Sequence, residues 1–131
     1  MSKVILIVED DVKSMKLAKD LLLVSGYETI EVVNGLEAVR MAVEQQPDLI
    51  LMDMQLPGMD GFRAAGILKA NEKTSAIPII ALTAYAMKGD DEKVREAGCE
   101  GYLTKPIRVQ HFLGTIAATI GQANSLARKT A

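Results

Sequence analysis

Short unbroken apolar runs, each stopping at a polar residue, constrain this chain more than any other feature. Residues 4–8 end in Glu9, Asp10 and Asp11, residues 49–52 end at Asp53, and residues 79–82 end at Thr83. Apolar runs without alternation, rich in Ile and Val, suit strands that are covered on both faces. Two weaker strand candidates are 29–33 and 101–104.

Helical periodicity fills the intervals. Met15, Ala18, Leu21 and Leu22 recur on one face, and Gly26 follows as a stop signal. Asn34 with Glu37 three residues on has the form of a capping box, opening a helix through Val43. Segments 61–70 and 90–97 read as further helices. The last is expected over 109–120, with Phe112, Leu113, Ile116 and Ile120 on one face. Residues 121–131 are small and polar with no apolar stripe, and are expected as a frayed tail behind a domain spanning 1–120.

The order βαβαβαβαβα predicts an α/β fold: a five-stranded parallel sheet, right-handed crossovers and helices on both faces. In such sheets ligands gather beyond the carboxyl ends of the strands, where strand order reverses. A length of 131 residues suits one domain, and 49% hydrophobic with 24% charged residues is a globular rather than a disordered balance. The net charge of -2 supplies no basic field for nucleic acid or anionic lipid. Cys99 is the only cysteine, which excludes an intrachain disulfide; it reads as a small buried hydrophobe. No apolar run is long enough for a signal peptide or a membrane span, so a cytoplasmic protein is expected.

The polar residues that end the strands all fall at one edge. The first strand delivers Glu9 and Asp10, the third Asp53, the fourth Thr83 and the fifth Lys105. Clustered carboxylates raise one another's pKa unless a cation intervenes, and one lysine is insufficient for three acids. A divalent ion completes the balance. Few carboxylates on short loops suit Mg²⁺, and no Asp-rich loop with calcium-binding spacing is present.

With that charge in place, Asp53 becomes usable as a nucleophile toward phosphorus. The acyl phosphate would carry about -1.5 to -2 charge, with Thr83 and Lys105 available to its oxygens. Hydrogen bonds to charged groups contribute about 1.5–3 kcal/mol each, so two supply about 3–6 kcal/mol. Inverting a 1:99 population needs about 5.5 kcal/mol. The two match only if the unphosphorylated state leaves those contacts largely unmade.

Four segments together resemble a known family. The runs 4–11 (VILIVEDD), 48–61 (DLILMDMQLPGMDG), 80–84 (IALTA) and 101–106 (GYLTKP) are similar, in order and spacing, to the receiver domains of response regulators. The likeness covers about residues 3–120. It implies a flavodoxin-like strand order 2-1-3-4-5 and a phosphoryl group accepted on Asp53 from the phosphohistidine of a histidine kinase or histidine phosphotransfer protein. It implies Mg²⁺ bound by Asp10, Asp53 and the backbone carbonyl of Gln55, with Glu9 nearby or acting through water. It further implies Thr83 and Lys105 at the phosphoryl group, Thr83 and Tyr102 as a switch pair, and a cis Lys105–Pro106 bond. Output would pass to a protein target over the fourth helix, fifth strand and fifth helix. Glu9 departs mildly from members that carry Asp there. Residues 84–99 resemble the single-domain cell-cycle regulators of the family, and hybrid kinases carry similar stretches, so a receiver fragment of such a kinase stays open; the short tail favours a small intact protein.

Plainer roles compete at several positions. Asp10 or Asp11 could cap the first helix, Tyr102 could simply pack, and Pro57-Gly58 is first a turn. Met52, Met54, Met59 and Met87 read as packing and loop contacts, His111 as a helix-surface residue, and 88–96 as a solvated helix face. A phosphatase of the haloacid-dehalogenase type also forms an aspartyl phosphate. It usually carries a second Asp two residues after the nucleophile, where this chain has Gln55, and a cap domain for which there is no room. A nucleotide- or flavin-binding domain lacks its G-x-G-x-x-G or Walker pattern here. The expectation is therefore a phosphoacceptor switch rather than a turnover enzyme.

Overall fold

The computed structural model describes residues 2–84 and 90–130. Its strands are β1 (Val4–Val8), β2 (Glu28–Val32), β3 (Leu49–Asp53), β4 (Ile79–Thr83) and β5 (Gly101–Thr104). Its helices are α1 (Val12–Val24), α2 (Gly35–Gln45), α3 (Gly61–Ala70), α4 (Asp90–Glu96) and α5 (Val109–Thr130). All neighbouring strands pair in parallel, in the order β2-β1-β3-β4-β5. That is the flavodoxin-like order expected from the sequence.

Alternate residues of each strand point to opposite faces, and each face has its own core. Leu6, Val8, Ile50, Met52, Ile79 and Ala81 meet Ala38 and Ala42 of α2, Ala64, Ala65 and Leu68 of α3, and Val94 of α4. Ile5, Ile7, Leu49, Leu51, Ile80 and Leu82 meet Ala18 and Leu22 of α1 and Phe112, Ile116 and Ile120 of α5. The central strands β3 and β4 are buried throughout, which is why their sequences do not alternate.

Local signals set the helix ends. Asp11 caps α1 by accepting from the Ser14 N–H at 2.9 Å, and Asn34 caps α2 by accepting from the Glu37 N–H at 2.8 Å. Asp60 does the same for α3 through the Arg63 N–H. Gly26, at φ +94°, turns the chain out of α1 as expected. Gln46 ends α2 in the left-handed region at φ 48° without a glycine to signal it.

Several boundaries depart from the sequence reading, and α2 runs to Gln45 rather than Val43. β2 lies one residue earlier than 29–33, and Val33 is exposed beyond it. α4 stops at Glu96 rather than Ala97. The helix expected to end at Ile120 continues to Thr130, replacing the frayed tail. Gln122, Ala123, Leu126, Ala127, Arg128 and Lys129 are all good helix formers, so propensity carries the helix past the end of its apolar stripe.

Met52, Met54 and Cys99 are buried, Met59 packs against the core, and His111 is exposed on α5. Glu92, Lys93, Arg95 and Glu96 form a solvated face over the buried Val94. Met87 and the rest of residues 85–89 lie outside the described residues. No helix among the described residues is long and apolar enough to cross a membrane.

Candidate functional site

The register brings the strand ends level. Val8 pairs with Met52, Asp53 with Leu82 and Thr83 with Thr104, so the residues just beyond them share one edge. The Glu9 N–H donates to the Val32 carbonyl at 3.1 Å, fixing the turn after β1. The Lys105 N–H donates to the Thr83 carbonyl at 2.8 Å, fixing the turn after β5. The Lys105–Pro106 bond is cis, as the resemblance implies.

Lys105 closes the cluster. Its ammonium lies 2.9 Å from Glu9 Oε1 and 2.8 Å from Asp53 Oδ2. Carboxylate oxygens of Glu9, Asp10 and Asp53 all lie within 4.8 Å of one another. The Glu9 side chain is 1% exposed and that of Asp53 5%, whereas Asp10 is open to solvent. Asp11 turns away to its helix cap, which leaves Asp10 to face the cluster. Asp53 Oδ1 accepts from the Gln55 N–H at 2.8 Å. That local turn orients the carboxylate, and the sequence assigned Gln55 a role only through its carbonyl.

Electrostatics follow the geometry. Burial pushes the Glu9 carboxyl up to about 7; the Asp53 hydrogen bond and charge add to the rise, and Lys105 opposes it. Burial works against the Lys105 charge, but Asp53 and Glu9 outweigh it and hold the ammonium above its ordinary range. Burial pushes the Cys99 thiol up to about 11, away from reactive thiolate chemistry.

The residues present fit a hard divalent cation. Glu9 Oε2 is buried with no hydrogen-bond partner, and one lysine pairs with only two of the three clustered carboxylates. An oxygen-only donor set on short turns is the kind that Mg²⁺ takes. Thr83, 6% exposed, ends β4 at this edge. Tyr102 lies on the neighbouring strand with 43% of its surface exposed. His111, on α5, is not among the clustered groups.

The response regulator receiver domain family matches residues 5–117. The polar-differentiation response regulator DivK of Brucella anthropi is 51% identical over 123 residues, which is 94% of this chain and 100% of that protein. The receiver domain of the sensor histidine kinase PA1611 from Pseudomonas aeruginosa, solved with a magnesium ion coordinated in its active site cleft, is 38% identical. It superposes with a TM-score of 0.86 over 92% of this chain and 99% of that one. The chemotaxis response regulator CheY4 of Vibrio cholerae, 24% identical, shares the fold with a TM-score of 0.85 over 90% of this chain and 98% of that chain.

Proposed function

This chain belongs to the response regulator receiver family, and from that premise we propose that Asp53 accepts a phosphoryl group and thereby switches the protein's contacts. It is a single receiver domain of the DivK-like kind. The donor is a phosphohistidine on a histidine kinase or histidine phosphotransfer protein. A carboxylate oxygen of Asp53 attacks phosphorus in line, the P–N bond breaks, and its electron pair remains on the imidazole nitrogen, which takes a proton. Water later attacks the acyl phosphate, releasing inorganic phosphate and restoring the carboxylate.

Glu9, directly or through water, Asp10, Asp53 and the Gln55 carbonyl would hold Mg²⁺, which when bound supplies charge neutralisation between the anionic attacker and the anionic donor. The chain's own groups do the rest. The Gln55 N–H orients the Asp53 carboxylate. Lys105 pairs with a phosphoryl oxygen, and the Thr83 hydroxyl donates to another.

The energetics narrow the source of the switch. Lys105 is already paired with Glu9 and Asp53 before phosphorylation, so it exchanges one acceptor for another. Its share of the gross 3–6 kcal/mol largely cancels. Thr83, buried at the end of β4, and Tyr102, 43% exposed on the neighbouring strand, are the switch pair. The surface so changed is that of α4, β5 and α5, the docking face for a downstream protein.

One observation carries this reading: a single ammonium bridges carboxylates from two strands beside a third acid. Incubation with Mg²⁺ and a small acyl-phosphate donor, read by intact mass, tests it. One added phosphoryl group is expected in wild type and none in Asp53→Asn. Sustained phosphate release from phosphomonoesters would instead favour a phosphatase.

A further inference from the structure

We propose that Gly61 and Gly35 are positioning residues, which set the loop between β3 and α3 against the phosphoacceptor by leaving no room for a side chain. The inference rests on the reading of Asp53 as that acceptor. A Cβ built at Gly61 would sit 2.4 Å from the Asp53 carbonyl oxygen, 2.6 Å from Met54 Cα and 2.8 Å from Met54 Cε. The first two are backbone atoms of Asp53 itself and of the residue after it, so no side-chain rotation relieves the clash. Gly61 is not at positive φ, so space rather than backbone conformation demands the glycine.

The loop is held from both ends. At its start the Gly61 N–H donates to the Met54 carbonyl at 3.1 Å, drawing the first turn of α3 onto the backbone beyond β3. At its far end a Cβ on Gly35, the first residue of α2, would meet the Met59 carbonyl oxygen at 2.9 Å and Ala64 Cβ at 3.3 Å. Between these supports lies Gln55, whose N–H donates to Asp53 Oδ1 at 2.8 Å and whose carbonyl is a proposed Mg²⁺ ligand. A methyl group at position 61 must shift the Asp53–Met54 backbone by more than half an ångström to reach an ordinary contact. Misplacing a reacting group by about 1 Å costs on the order of 100-fold in rate.

The test compares full-length wild type with Gly61→Ala, Gly35→Ala and two controls. Gly66→Ala adds a methyl in the same helix where nothing lies within 4 Å. Leu68→Ala removes a fully buried side chain from the core under α3 and leaves the residues of the loop itself unchanged. Each is measured by urea unfolding, by Mg²⁺ titration followed through the thermal midpoint, and by phosphoryl uptake from a small acyl phosphate over a range of Mg²⁺. Gly61→Ala is expected to weaken apparent Mg²⁺ affinity and to slow uptake at saturating Mg²⁺, each by about tenfold or more. Gly35→Ala should shift both in the same direction by a few-fold. Leu68→Ala should lose stability while keeping both within about twofold, which a purely structural role for the glycines would not allow.

Folded Gly61→Ala or Gly35→Ala with wild-type affinity and rate overturns the inference, as does rescue of Gly61→Ala by Met54→Ala, which would trace the clash to a side-chain tip. Where Gly61→Ala does not fold, Gly35→Ala decides. Wild type that binds Mg²⁺ but takes up no phosphoryl group defeats the functional reading alone, and the Mg²⁺ titrations still judge the glycines. Wild type that does neither defeats both.

Discussion

Lys105 Nζ lies 2.8 Å from Asp53 Oδ2 although 52 positions separate the two residues, and the same ammonium reaches Glu9 at 2.9 Å. This one cation is shared by two nearly dry carboxylates, with a third, open to water, beside them. Much of the chain's response to pH and metal follows from that imbalance.

Glu9 carries the pH response. Its carboxyl is raised from 4.5 when unfolded to about 7 when folded, so folding favours the protonated form. The stability it contributes is fully present below about 4.5 and is lost as pH rises through 7. The loss reaches at most about 3 kcal/mol, at roughly 1.4 kcal/mol per pH unit. In urea unfolding with chelator present, stability should fall between pH 5 and 8, and Mg²⁺ should restore more at pH 8 than at pH 5. Glu9→Gln should flatten the metal-free profile; an unchanged slope in that variant would remove Glu9 as its source.

Asp10 and Asp11 should dissociate cleanly. The Asp11 carboxylate accepts from the Ser14 N–H, and that bond, first among its causes, holds its pKa below the ordinary carboxylate range. Asp11→Ala should therefore lower the melting temperature and leave Mg²⁺ affinity alone. Asp10→Ala should do the reverse, weakening Mg²⁺ binding by tenfold or more with little change in the metal-free melt. Parallel thermal melts with and without Mg²⁺ decide the matter, and equal Mg²⁺ affinities in the two variants would contradict the geometry.

Much of this was legible before any coordinates. Residues 4–8, 49–52 and 79–82 are apolar without alternation because both faces of the sheet are covered, and their polar stops mark its functional edge. The edge strand β2 was harder. It is only half covered, so Val33 reads as a strand residue although 53% of it is exposed. Which acid caps α1 depended on turn geometry, and for that duty alone the sequence offered Asp10 and Asp11 alike. Periodicity could not extend α5 beyond Ile120, because the last ten residues are held in the helix by propensity and offer no apolar stripe. The sharing of Lys105 between Glu9 and Asp53 was also hidden, since convergence at an edge does not say which groups touch. Gly35 and Gly61 read as helix starts; only three dimensions show what stands against them.

A second network, at the opposite edge of the sheet, should affect stability alone. Glu100 Oε2 accepts from the Ile79 N–H at 2.6 Å, and its Oε1 accepts from the Lys69 ammonium at 2.6 Å. Lys69 also donates to the carbonyls of Ser75 and Ile77, tying α3 to the segment before β4. Glu100→Ala leaves the Ile79 N–H without its acceptor and should cost about 1–3 kcal/mol in urea unfolding. Phosphoryl uptake by the folded variant should match wild type. Slower uptake would mean that the two edges of the sheet are coupled.

Replacing Lys105 by methionine keeps the stem and deletes the charge. Removing one partner of a buried pair costs about 3–5 kcal/mol when the other is stranded. Here the lysine is 22% exposed, and Glu9 can take up a proton, so roughly 1–3 kcal/mol is expected near neutrality. The cost should shrink at pH 5, where Glu9 is already protonated, and should shrink again with saturating Mg²⁺, which substitutes for the missing charge. Phosphoryl uptake should slow by about 100-fold, the usual effect of deleting a group aimed at developing negative charge. If Lys105→Met instead matched wild-type stability at pH 8 in chelator, the ammonium could not be what offsets repulsion between Glu9 and Asp53, and the charge balance assigned to this edge of the sheet would have to be redrawn.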